Sequence, residues 1–291
     1  MYAIELYNVT KKFNNFTAID NISFKLKKKD MLILIGPNGA GKTTLERLIS
    51  GLYLPTSGDI FVLGKNTKIF SNYRNSFIGY VGENYALYDN LTVKSNLLFF
   101  SSLYKLDPNI SNDRIEALLK EFNAIEFLNT KVGNLSRGTK QKIAICRALL
   151  FEPRVLILDE PTAFLDPNSA EILRRKLIEL KKNTTIIYAT QRLDELTRLN
   201  GKILLLNKGR KVAFGNLEEI LHILNGIEVE IVVARNLSKE EIRALSDFYV
   251  YNNRIVIKLK RLADLPKIVK EISNLNLPIL TINYINYELN L

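Results

Sequence analysis

Between Tyr2 and Lys27 the chain alternates. MYAIELYNV (1–9) and AIDNISFKLK (18–27) carry apolar residues at nearly every second position, on either side of a polar turn at Asn14 and Asn15. A period of two turns one face inward and the other outward, so this stretch predicts two short paired strands. From Met31 the pattern changes. MLILIG, SFIGYVG, RVLILDE, TTIIYAT and KILLLNKG are nearly continuous apolar runs separated by longer segments of helical period. Strands that are apolar on both faces and joined by helices predict a parallel sheet covered on both sides, an α/β fold.

Between about Asn84 and Leu150 no strand pattern is visible. LTVKSNLLFFSSLYKL, SNDRIEALLKEF and GTKQKIAICRALL all read as helices, which predicts a helical insert between two core strands. After Gly215 a helix is expected near LEEILHIL, and Asn225-Gly226 marks a boundary. The remainder reads strand (227–234), helix (238–247), a strand pair about Asn252-Asn253, helix (262–274) and strand (278–285). That order, βαββαβ, predicts a small ferredoxin-like α+β unit. The expected division is 1–217 for the main unit and 226–291 for the second.

The chemistry sits where strands end. GPNGAGKT (36–43) follows an apolar strand and opens a helix, the context of a P-loop. Gly36, Gly39 and Gly41 let the backbone bring N–H groups against phosphate oxygens, with Asn38, Ala40 and Thr44 completing the loop. Lys42 is placed to reach the terminal phosphates, Thr43 offers a hydroxyl to Mg²⁺, and the helix start adds its positive dipole end. RVLILDE supplies the complement. Asp159 is expected to hold the metal and Glu160 to orient or deprotonate an attacking water.

With these motifs in place, the chain over residues 1 to about 217 resembles the nucleotide-binding subunit of ABC (ATP-binding cassette) transporters. LSRGTKQ (135–141) resembles the LSGGQ signature, and EPTAFLDP (160–167) resembles EPTSGLDP. Phe13 stands where the family places an aromatic that stacks on adenine. The resemblance implies that Ser136, Arg137 and Gly138 contact the ATP of a second chain in a head-to-tail dimer. It also implies separate transmembrane permease subunits, whose coupling helices would meet the insert. NYALYDNLTVKSNLLFFSSLYKL is similar to the corresponding stretch of drug, lipid or polysaccharide exporters, so export is expected.

Four positions depart from the family pattern: Gln191 stands in place of a histidine, Glu83 in place of a glutamine, and Arg137 and Thr139 within the signature. A Gln amide can hydrogen-bond a phosphate oxygen but cannot take a proton near neutral pH. A carboxylate at 83 can bind Mg²⁺, yet it repels triphosphate unless offset. A slow ATPase working as a homodimer is therefore expected. A weakly hydrolysing partner in an asymmetric heterodimer, and a soluble ATPase on nucleic acid or ribosomes, stay open as alternatives.

Composition adds little to this picture. An apolar content of 47% and a charged content of 24% over 291 residues are ordinary for a folded chain. The formal charge of +11 suits anions without choosing among them, and nucleic acid is not expected as a partner. The start lacks the order of a secretory signal, and no apolar run reaches the ~20 residues a bilayer requires. The expected location is cytoplasmic, at the inner face of the membrane through a permease. The lone Cys146 reads as a buried apolar residue, and the single histidine, His222, as structural.

Overall fold

The computed structural model describes residues 1–72, 77–223, 227–245, 248–259 and 264–284. The alternating segments at the start form a long hairpin, β1 (Tyr2–Phe13) and β2 (Phe16–Lys27). Its two-residue turn holds Asn14 at a positive φ of 51°, a conformation that asparagine tolerates better than most residues. The first fully buried strand, β3 (Met31–Ile35), runs into the glycine loop and α1 (Lys42–Ile49). The chain then returns through β4 (Ser57–Val62) and β5 (Lys65–Asn66), giving an antiparallel sheet of order β2-β1-β4-β5. The apolar reading missed β4 and β5, whose few inward residues sit between a turn and a two-residue strand.

β6 (Ile78–Val81) precedes the helical insert, α2 (Val93–Leu103), α3 (Pro108–Glu121) and α4 (Arg137–Leu149). Each helix starts on a side-chain cap. Thr92, Asp107 and Ser136 accept from backbone N–H groups of the first turn, and Pro108 presets the start of α3. β7 (Val155–Asp159), α5 (Pro167–Leu180), β8 (Thr185–Thr190), α6 (Asp194–Arg198) and β9 (Lys202–Asn207) follow. β10 (Arg210–Gly215) folds back on β9, and α7 (Leu217–Ile223) closes this part.

The resulting sheet has the order β10-β9-β3-β8-β7-β6, parallel except for the β10 edge. β3 lies between β8 and β9, so the glycine loop leaves from the middle of the sheet, and β7 ends two strands away, beyond β8. One apolar layer packs this sheet and α1 against the antiparallel sheet. The other lies under the helical insert, where Cys146 is fully buried.

The last elements are β11 (Ile227–Val233), α8 (Lys239–Ala244), β12 (Tyr249–Tyr251), β13 (Arg254–Leu259), α9 (Leu265–Asn274) and β14 (Ile279–Tyr284). Their antiparallel order, β12-β13-β11-β14, is that of a ferredoxin-like βαββαβ unit. The Asn225-Gly226 boundary and the side chain of His222 fall outside the described residues.

Candidate nucleotide site

The glycine loop, the end of β7, the turn after β8 and the start of β2 enclose an open cleft of about 470 Å³. The loop is held from behind by backbone. Gly41 has φ 103°, and a Cβ there would lie 2.8 Å from the Ala18 carbonyl of β2. Only glycine takes that conformation at that approach. Gly36 does not reach the cleft. It is the point at which the loop rests on β9, since any side chain would strike the Leu206 carbonyl.

Lys42 is buried, and its ammonium bonds to the Gly36 carbonyl at 2.7 Å and the Pro37 carbonyl at 3.2 Å. Burial holds its pKa below the usual lysine value, while the Glu160 and Asp159 carboxylates pull the other way. Thr43 Oγ1 donates to Asp159 Oδ2 at 2.8 Å. This bond brings a hydroxyl and a carboxylate, read from separate motifs, to one point. Glu160 follows with a positive φ of 44°, an uncommon backbone for a non-glycine residue that turns it out of the strand line. Thr190 Oγ1 donates to its Oε2 at 3.3 Å. Burial raises the Glu160 pKa, with Lys42 opposing.

Asn38 to Thr44, Glu83, Asp159, Glu160 and Gln191 all line this one cleft. Phe13 does not. Its ring lies edge-on to Tyr53 with centroids 5.5 Å apart, under the Lys11 ammonium at 4.9 Å. The signature residues are also elsewhere: Ser136 caps α4 and, with Arg137, is exposed, and Arg137 lies over the Phe164 ring at 5.5 Å. Among the described residues no group of three or more His, Cys, Asp or Glu could hold a metal. Thr43, Glu83 and Asp159 are oxygen donors at the same cleft, a set suited to a hard cation shared with phosphate oxygens.

Several cleft residues escaped the sequence reading. Phe16 and Ala18 form part of its wall, two apart on β2, which the period of two could have signalled. Gln141, one turn into α4, is 3% exposed with Nε2 unpaired, and it lines the same cleft. Behind the wall, Arg174 forms a two-pronged pair with Glu195, Nε to Oε2 at 3.0 Å and Nη2 to Oε1 at 2.9 Å. Glu195 also accepts from Thr162 at 3.0 Å, fixing the turn that carries Glu160 and Phe164. No motif marks this buried pair, because its members lie 21 residues apart.

Similarity to known proteins decides what this arrangement belongs to. The ABC transporter family model matches residues 19–163. The "Probable sulfate/thiosulfate import ATP-binding protein CysA" of Chlorella vulgaris is 36% identical over 220 residues, which cover 75% of this chain and 93% of that protein. The chain belongs to the ABC transporter family. It is an ATP-binding cassette and an ATPase. The cassette is also 35% identical over 222 residues to the "Probable multidrug ABC transporter ATP-binding protein YbhF" of Escherichia coli, covering 75% of this chain but 38% of that longer one. Among solved structures it resembles a dimeric post-hydrolysis state of the cassette MJ0796 bound to ADP and Pi, with TM-score 0.68, 27% identity, and coverage of 74% of this chain and 98% of that one. No helix among the described residues is long and apolar enough to cross a membrane.

Proposed function

We propose that this cassette hydrolyses Mg²⁺-ATP as a head-to-tail homodimer and so drives export through a separate membrane permease, which alone brings it to the inner face of the membrane. Residues 1–217 would carry this activity and 226–291 would be an added unit. Export is supported by the exporter-like stretch beginning at Asn84 and by the likeness to a protein named for multidrug transport, although the CysA and PotA relatives are named for import.

The observation that carries the reading is the split of the phosphate-binding groups. The cleft holds the glycine loop, Asp159, Glu160 and Gln191, while Ser136 and Arg137 stand exposed at a capped helix start outside it. A helix N-terminus of this kind favours anions. A second copy in head-to-tail orientation would bring that surface to the open side of the cleft.

Within each cleft, the glycine loop and Lys42 would hold the phosphates, with the ammonium moving from the Gly36 carbonyl to phosphate oxygen. Thr43, Asp159 and Glu83 would hold Mg²⁺, whose charge offsets the phosphates when bound. Glu160 would take the proton of an attacking water, the raised pKa making it a better base than a solvated glutamate. Gln191 would donate to a terminal phosphate oxygen without accepting a proton.

The test is complementation. Glu160→Gln and Ser136→Ala should each be inactive alone. When the two are mixed, heterodimers contain one site with both defects and one with neither, so turnover should return. Activity that stays absent on mixing, with wild-type turnover strictly proportional to protein concentration down to the lowest levels, would overturn the shared-site reading.

A further inference from the structure

We propose that Phe164 is a positioning residue: its ring holds the Arg137 guanidinium at the start of α4, set to meet a phosphate oxygen in the cleft of a second copy. The proposal rests on the head-to-tail reading above and adds how an exposed arginine is kept in place. Both residues stand where the motifs that this chain resembles carry glycine, Arg137 in LSRG against LSGG and Phe164 in EPTAFLDP against EPTSGLDP. The two departures meet in space. The guanidinium carbon lies 5.5 Å from the centre of the Phe164 ring.

Arg137 is the first residue of α4, with no acidic side chain in that turn and no ion pair holding it among the described residues. A cation at the positive end of a helix dipole is disfavoured, and a free arginine stem gives up rotamer freedom when it binds. The Phe164 ring offsets both. A guanidinium is attracted to an aromatic face, so the side chain is ordered before any anion arrives. Helical side chains lean toward the N-terminus, which keeps the guanidinium at the Ser136 end of α4. Phe164 itself is 49% exposed and lines the cleft of its own chain, yet its main chain is fixed. A Cβ on Gly138 would lie 2.5 Å from the Phe164 carbonyl, so the first turn of α4 rests directly on this backbone. Thr162 donates to the buried Glu195 at 3.0 Å, and the Leu165 N–H donates to the Thr162 carbonyl at 3.2 Å. The ring therefore stands on a held turn, at a set distance from the helix start.

The complementing pair of chains leaves one working site, with its cleft from the Ser136→Ala chain and its helix start from the Glu160→Gln chain. Phe164→Leu keeps apolar bulk there and loses the ring face. Carried by the Glu160→Gln chain, which supplies Arg137, it should raise the KM for ATP about two- to fivefold. Carried by the Ser136→Ala chain it should raise it less. Phe164→Tyr on the Glu160→Gln chain, which keeps the ring, should bring the lower KM back. With Arg137→Gln on that chain the KM should already be about tenfold higher or more, and adding Phe164→Leu should change it no further. An unchanged KM, an equal rise from either chain, or a full additional rise beside Arg137→Gln would overturn the assignment and leave Phe164 as a wall of its own cleft. If the two chains failed to restore turnover on mixing, the head-to-tail reading itself would fall and the proposal with it, a result distinct from a misassigned ring.

Discussion

Replacing Glu46 by leucine should make the nucleotide-free chain more stable, and increasingly so as the pH rises. Glu46 lies on α1 beneath the glycine loop, fully buried, and neither carboxylate oxygen has a hydrogen-bond partner. Burial, and after it the neighbouring Asp159 carboxylate, push its pKa well above the ordinary value of 4.5. When neutral, the carboxyl can donate to Asp159 but leaves its other oxygen unpaired, which costs about 1–3 kcal/mol, and a buried leucine contributes about 1.5–3 kcal/mol. Allowing for imperfect fit, a gain of about 2–4 kcal/mol is expected at pH 5.

The pH dependence has a definite sign. Between 4.5 and the raised value the folded chain keeps a proton that the unfolded chain has lost, so wild-type stability falls as pH rises through that window. Each unit within it widens the gap between variant and wild type by about 1.4 kcal/mol. The assay is a thermal melt of both chains in EDTA at pH 5, 6, 7 and 8. A chain of this size shifts its Tm by roughly 2–4 °C per kcal/mol. Glu46→Gln serves as control, losing the pH-dependent part while leaving the amide unpaired. Since Glu160 and Lys42 titrate in both chains, the difference between them isolates Glu46. A leucine variant that melts no higher than wild type, with the same pH slope, would refute the argument and show that Glu46 is satisfied in solution.

Other outcomes follow from the same geometry. Glu195→Ala leaves the Arg174 guanidinium with Glu171 at 3.2 Å in place of its two-pronged partner and should cost about 2–4 kcal/mol in chemical denaturation; a loss below about 1 kcal/mol would mean that water or Glu171 replaces the carboxylate. Gln191→His should raise turnover and add a pH-dependent limb near the usual histidine pKa of about 6.5, read from initial rates between pH 5.5 and 8.5; a flat ratio to wild type would argue against Gln191 limiting the reaction. Gly41→Ala combines a positive φ with a close approach to the Ala18 carbonyl and should abolish ATP binding in filter assays; retained affinity would show that the loop can shift.

The pattern along the chain was most informative where one physical demand governs. Strands buried on both faces must be apolar throughout, so β3, β7, β8 and β9 were visible as uninterrupted runs. Phosphate cradles need glycine, so the loop before α1 was equally plain. β4, β5 and β10 were not, because edge strands that bury few residues carry little apolar signal. Within the site, Asp159 and Glu160 could be read because a strand end places them. Phe13 was named from the family resemblance, yet its packing against Tyr53, outside the cleft lining, could not be read, because Tyr53 meets the hairpin only after folding. Glu46 shows the converse case. No pattern along the chain marked it, because its burial depends on sheets assembled from distant segments.

Cys146 has a practical consequence. Its thiol is fully buried, and burial raises its pKa far above the ordinary range, so alkylating reagents meet it only when the layer beneath α4 opens. The wild-type chain therefore contains an internal clock for that opening. Its rate of labelling by a small maleimide, with and without nucleotide, measures how often the helical insert parts from the sheet, and any single cysteine placed on the surface can be labelled without first removing the native one.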